Sequence, residues 1–210
     1  FLCPADPLPK TADQYGTGPN YEYYGRTSYK LNGGSRPIFA TSSTNDGMFM
    51  ATGPNARKAP TAPNGIQVPI AAVVDGTSNT ILMGERHHQD INFDTFTNAG
   101  WTSGSNIKGW SRWYPAGGDV GMSNIFAGAF APTAINFLIP WKHGDAGAPT
   151  SQGAWYIWQD SRLSAFGSAH TGGANFVFAD GSVQFIRETI PQTTLSLLCQ
   201  RADGQVVPSY

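Results

Sequence analysis

Charge is what this 210-residue chain has least of. Asp, Glu, Lys and Arg make up 13% of it, about half the usual share. The 13 basic and 14 acidic residues leave a net charge of −1, with no run of either sign. Nucleic acid normally requires a basic face, because phosphate neutralisation supplies most of the affinity, so that class of partner is excluded. Weak charge also favours association over repulsion, which suits a self-assembling subunit better than a freely dissolved enzyme. Long apolar runs are missing too: nothing approaches the roughly 18 residues that span a bilayer, and no segment has the pattern of a secretory leader. The chain opens on Phe1-Leu2-Cys3-Pro4 and not on methionine, so we expect a processed or trimmed piece of a longer precursor.

Cysteine is scarce. Cys3 and Cys199 sit near opposite ends of the chain, and three readings stay open. They are unrelated thiols, or they form a disulfide tying the termini together, or Cys3 pairs with a residue upstream. A disulfide is allowed in an exported protein and would contribute about 4–5 kcal/mol in the chain-entropy model. Each thiol neighbours a leucine, Leu2 or Leu198, the setting of a structural cysteine more than a reactive one. Catalytic signatures are missing as well. There is no Gly-x-Ser-x-Gly elbow, no His-Glu-x-x-His or Cys-x-x-Cys spacing for zinc, and no convergent acid and base. A non-enzymatic protein without a cofactor is expected.

What the chain has in quantity is Gly (25) and Pro (15), the composition of a loop-rich protein with many tight turns. Aromatics reach 12%, with six Trp, more than a small core needs, so some belong on a surface or at an interface. Tyr21–Tyr24 and Thr27–Leu31 read as short strands, with Asn32-Gly33-Gly34 as a turn. Val68–Val74 reads as a short helical turn leading through Asp75-Gly76-Thr77-Ser78-Asn79-Thr80 into a strand at Ile81–Glu85. Residues 92–165 have weak periodicity. A structureless loop of that length is improbable, so several short strands are expected there, at Gly128–Ile139 and Ala154–Trp158. Two alternating apolar runs then flank Asp180-Gly181, a strong hairpin signature over 174–186. Pro191–Thr194 starts a last helix, Leu195 to about Arg201, with Leu195, Leu198 and Cys199 on one face.

Four constellations could carry function. His170 and Asp180 flank the first hairpin strand, where an imidazole–carboxylate bond could staple the structure; with no nucleophile beside them they make a poor catalytic dyad. The Asp75–Asn79 loop, glycine included, offers Asp75, Thr77 and Asn79 as hard oxygen ligands for calcium. Alternatively Asp75 and Ser78 bond backbone amides and shape the turn. Glu85-Arg86-His87-His88-Gln89-Asp90 gathers metal-ligand types. Only Glu85 and His87 would share a strand face, so a solvated strand end is the simpler reading. Finally Trp101, Trp110, Trp113, Trp141, Trp155 and Trp158 could stack sugars, making a carbohydrate- or solute-binding module the alternative function, or they could fill a core or a subunit interface.

Several segments, in order, resemble a bacterial family of prepilin-like surface proteins with a C-terminal His-x9-Asp-Gly motif. They are Phe1–Pro7, Thr27–Gly34, Asn45–Phe49, Asp75–Thr80 with Gly84-Glu85, His170–Ile186 and Leu195–Val207. The resemblance implies the globular head of a pilin- or pseudopilin-type subunit, exported to the cell surface. Such a head would meet the membrane only through an apolar helix ahead of Phe1, and would associate with itself or with other pilin-like subunits. In that family a cysteine soon after the helix is common and could partner Cys3. The expected fold is α+β and β-dominated: one domain over 1–210, an antiparallel sheet with short helices and long loops, and a variable insertion at about 92–165.

Overall fold

The computed structural model describes residues 1–8, 12–15, 22–34, 46–49, 68–101, 106–111, 126–128 and 133–210. Its strands are β1 (Ala12–Tyr15), β2 (Glu22–Gly25), β3 (Tyr29–Gly34), β4 (Ile81–Glu85), β5 (Phe126–Gly128), β6 (Gly173–Phe178) and β7 (Val183–Arg187). Its α-helices are α1 (Ile91–Asn98), α2 (Gln152–Ser164) and α3 (Gln192–Cys199). β1 and β2 pair as a separate two-stranded ribbon. The main sheet runs β5-β3-β4-β6-β7, antiparallel throughout from β3 to β7, with short β5 added in parallel at the edge. The β-dominated α+β architecture read from the sequence is the one observed. No helix among the described residues is long and apolar enough to cross a membrane.

The expected hairpin is β6–β7, and its turn shows why Asp-Gly belongs there. Gly181 has φ +86°, a left-handed conformation that costs any other L-residue about 1–2 kcal/mol. Asp180 Oδ1 accepts the Ser182 N–H at 2.8 Å. The strand at Ile81–Glu85 and the short 3-10 turn before it, Ile70–Ala72, also fall where the sequence places them. α3 starts three residues earlier than expected and ends two earlier, but Leu195, Leu198 and Cys199 do share its buried face. They pack on Ile81, Phe166, Ala174, Phe176, Phe178 and Ile186, the apolar side of the sheet.

Two expectations are corrected. Asn32-Gly33-Gly34 is no turn; it completes β3. Asn32 is fully buried with its amide satisfied: Nδ2 donates to the carbonyls of Ile81 (2.7 Å) and Cys199 (2.8 Å), and Oδ1 accepts from Gly34 N. The regular structure described in 92–165 is mainly helical: α1, a 3-10 turn at Ile107–Ser111 and α2. Its only described strand is β5, which takes in Gly128 of the expected strand Gly128–Ile139; 129–132 lie outside the described residues, 133–139 form no strand, and Ala154–Trp158 lies inside α2. α2 is capped by Ser151, whose hydroxyl accepts from Ala154 N. Its inward positions Trp155, Gln159, Arg162 and Leu163 follow the i, i+4, i+7, i+8 pattern of a helix. Half of that stripe is polar, so an apolar period never shows.

A second core surrounds Trp155, with Phe93 and Phe96 of α1, Ile107, Trp110, Ile139 and Leu163. Trp155 stacks flat on Phe96, with centroids 3.9 Å apart. Asp90 joins the parts around it. One carboxylate oxygen caps α1 through Phe93 N (3.0 Å), and the other accepts from Ile139 N (3.0 Å) and Arg162 Nε (2.8 Å).

Candidate functional site

The N-terminal segment is fastened along one end of the sheet. Ser28 N donates to the Phe1 carbonyl (2.8 Å), and Asp6 N turns back onto the Cys3 carbonyl (3.0 Å). Asp6 Oδ2 accepts from His88 Nδ1 at 2.9 Å, both groups being buried. This seam brings Cys3 to the end of β4 and to the loop that enters β6.

Three side chains converge there. His170 Nε2 lies 3.5 Å from Cys3 Sγ and 3.4 Å from Glu85 Oε1, and all three ligand-type atoms lie within 4.8 Å of one another. Among the described residues this is the one such group of three. Cys3 and Glu85 are buried, while the imidazole is 42% exposed, so the cluster opens to solvent on its histidine side. Glu85 is oriented from behind, since Oε2 accepts the backbone and side-chain N–H groups of Asn175 at 2.7 and 3.0 Å. His170 is placed by its own N–H, which donates to Ser168 Oγ (3.0 Å). Burial pushes the Cys3 thiol up from its ordinary value, and the neighbouring Glu85 adds to this. Tyr29, paired with Glu85 across β3–β4, is raised by burial and then by the same two groups.

Both the thiol and the carboxylate face the same ring nitrogen. A nucleophilic relay needs its acid on the other nitrogen, orienting the base, so this set lacks that arrangement. It does have the donor chemistry of a transition-metal site: thiolate, imidazole and carboxylate.

The other sequence candidates lie elsewhere. Asp180 stands at the far end of β6 from His170, and six residues of strand separate them by roughly 20 Å. The two therefore do not bond: Asp180 serves its own turn, and His170 serves Cys3 and Glu85. Cys3 and Cys199 are not bridged, because Cys199 is in the core under α3 while Cys3 lies in the seam. Asp75 clamps the C-terminal tail, its two oxygens accepting from Asp203 N (2.7 Å) and Gly204 N (2.9 Å). Gly76, with φ +99°, lets the loop turn, Asn79 Nδ2 donates to the Asp75 carbonyl, and Thr77 O accepts from Asp180 N (3.1 Å). Ser78 is exposed. Through these bonds the loop clamps the C-terminal tail.

The solvated strand end expected at 85–90 is also corrected. Glu85, Arg86, His88 and Asp90 are all buried, because the N-terminal segment and α2 cover them. Of the tryptophans, Trp110 and Trp155 are core residues. Trp101, Trp141 and Trp158 are half-buried and pack against that core, with Trp141 edge-on to Trp158. Trp113 lies outside the described residues. The meeting of Cys3, Glu85 and His170 left no local trace: each residue stands out singly, but more than 80 positions separate each from the next.

The family model described as "Protein of unknown function (DUF1559)" matches residues 1–193 of the chain. No curated protein and no solved structure matches it.

Proposed function

The chain belongs to the DUF1559 family of proteins of unknown function, and from that starting point we propose that it is the head of a pilin- or pseudopilin-type structural subunit. In this reading it is exported to the bacterial cell surface, has no enzymatic activity, and assembles with copies of itself or with similar subunits through an apolar helix that precedes Phe1. The observation that carries the reading is the outer face of the sheet. Cross-strand partners share a face, so Leu31, Met83, Val177 and Val183 form one row across β3, β4, β6 and β7. Phe185 lies in the neighbouring row, opposite Asn175. The first three are half-buried, while Val183 is 65% and Phe185 49% exposed. Apolar side chains on an open sheet face call for a cover, and the N-terminal segment runs to that same face at Cys3 and Glu85. A helix feeding into Phe1 would arrive beside it.

The test is N-terminal sequencing and intact mass of the native, full-length protein, followed by electron microscopy of the cell surface. A methylated apolar N-terminus followed by a hydrophobic helix of about 20 residues or more is expected, with filaments or surface assemblies. A mature chain beginning near Phe1, or one released by an ordinary signal peptidase, would overturn the filament reading.

A further inference from the structure

We propose that Cys3, Glu85 and His170 form a transition-metal site, filled by Zn²⁺, that clips the N-terminal segment to the sheet. This holds whether or not the protein assembles into filaments. Zinc takes sulfur at about 2.3 Å, imidazole nitrogen at about 2.0–2.1 Å and carboxylate oxygen at about 2.0–2.2 Å in tetrahedral geometry. At the tetrahedral angle those bond lengths place sulfur and nitrogen about 3.5 Å apart, and nitrogen and oxygen about 3.4 Å apart. The separations here are 3.5 Å for Cys3 Sγ to His170 Nε2 and 3.4 Å for Glu85 Oε1 to the same nitrogen.

Hydrogen bonding gathers the same three groups. Nε2 carries either one N–H or one lone pair, and it faces two groups at once. As a donor it serves Glu85, and the Cys3 thiol donates to the same carboxylate, so hydrogen bonds hold the three groups together before any ion binds. A cation drawn between them would replace those hydrogen bonds with three ligand bonds. The second shell is also of the kind that serves a metal ligand. Asn175 holds Glu85 Oε2 with two N–H groups, fixing the carboxylate so that Oε1 points to the common centre. A soft thiolate beside an imidazole selects zinc over calcium or magnesium. The exposed side of the imidazole leaves the fourth position to water.

Binding releases the Cys3 proton, so affinity falls on acidification. The consequence for the fold is a cross-link among three distant parts of the chain: the N-terminal segment, the end of β4 and the loop before β6. A clip closing loops that long removes freedom from the unfolded chain.

The test uses the full chain without a polyhistidine tag, reduced, stripped by chelator and titrated with Co²⁺ and then with Zn²⁺. We expect about one equivalent of Co²⁺ with a thiolate-to-cobalt charge-transfer band, displaced by Zn²⁺, and a rise in Tm with zinc. Cys3→Ser removes the charge-transfer band. His170→Ala, at an exposed side chain and so expected to fold, weakens binding at least about tenfold and abolishes the zinc-dependent rise in Tm. His143→Ala, which removes another exposed imidazole, leaves both readouts unchanged. Failure of the folded wild type to take up either ion, or binding indifferent to His170→Ala and Cys3→Ser, overturns the site.

Discussion

At the N-terminal seam a neutral imidazole occupies a place where a charged one would be costly. Burial pushes His88 down to about 3; the hydrogen bond to Asp6 opposes this, while Arg86 and Arg162 add to it. As a neutral ring His88 donates its Nδ1–H to Asp6. That bond, with help from Ser28, outweighs burial and holds the Asp6 carboxyl below its usual range. In the unfolded chain a histidine titrates near 6.5. Below that pH the unfolded chain therefore takes up a proton that the folded one refuses. Stability is full above about pH 6.5 and falls as the pH drops towards 3, by about 1.4 kcal/mol per pH unit where the difference is one whole proton. Denaturant unfolding at pH 7, 6 and 5 should show this slope, part of it owed to His87, which burial also lowers. His88→Gln keeps a donor for Asp6 but cannot titrate, and should flatten the slope by about one proton. Equal slopes in the two proteins would mean that His88 takes its proton while folded. At this scale the sequence was only half legible. Cys3, Glu85, His170 and Asp75 all stand out by residue type, but their partners come from distant segments that no local pattern connects.

Among the elements, the hairpin, β4 and α3 were legible because turn chemistry and apolar alternation agree with the final packing. α2 was not, since polar groups line half of its inward stripe, as Gln159 and Arg162 do; nor was α1, which buries only Phe93 and Phe96, too few to show a helical period. Two glycines separate the physical effects that shape the sheet. At Gly84 a Cβ would come within 2.6 Å of the Phe176 ring and 2.7 Å of Phe166, so Gly84→Ala is an overpacking substitution. It should cost about 1–3 kcal/mol. At Gly181 a Cβ would meet nothing within 4 Å, but φ is +86°, so Gly181→Ala should cost about 1–2 kcal/mol through the backbone alone. The two are told apart in chemical denaturation by adding Phe166→Leu. That change should restore part of the loss in the Gly84 variant and none of it in the Gly181 variant. Restoration in both would show that the hairpin turn is also under side-chain pressure.

For the whole molecule, the question is how the sheet core and the Trp155 core are held together. Among the described residues, polar links centred on α2 help to do so. Asp90 binds Arg162 of α2 while capping α1; Arg162 also donates to the His87 carbonyl (2.9 Å) just beyond β4; and Lys30 of β3 donates to the Leu163 carbonyl. None of these was readable in the sequence, where short strands are expected in 92–165; the composition of that region hides a helical layer joined to the sheet by side-chain bonds to backbone carbonyls. Asp90→Ala leaves the buried Arg162 guanidinium without its carboxylate and α1 without its cap, and should cost about 3–5 kcal/mol. Its effect should also be uneven. All six tryptophans lie between 101 and 158, so tryptophan fluorescence follows the α1–α2 core, while amide protection in β6 follows the sheet. In the wild type both should be lost at one denaturant concentration. In the Asp90→Ala variant the fluorescence transition should move to lower denaturant and run ahead of the loss of β6 protection, because Asp90 ties α1 to α2 within the Trp155 core while the β6–α3 packing is intact. If both transitions shift together, the two cores form one cooperative unit held by more than Asp90.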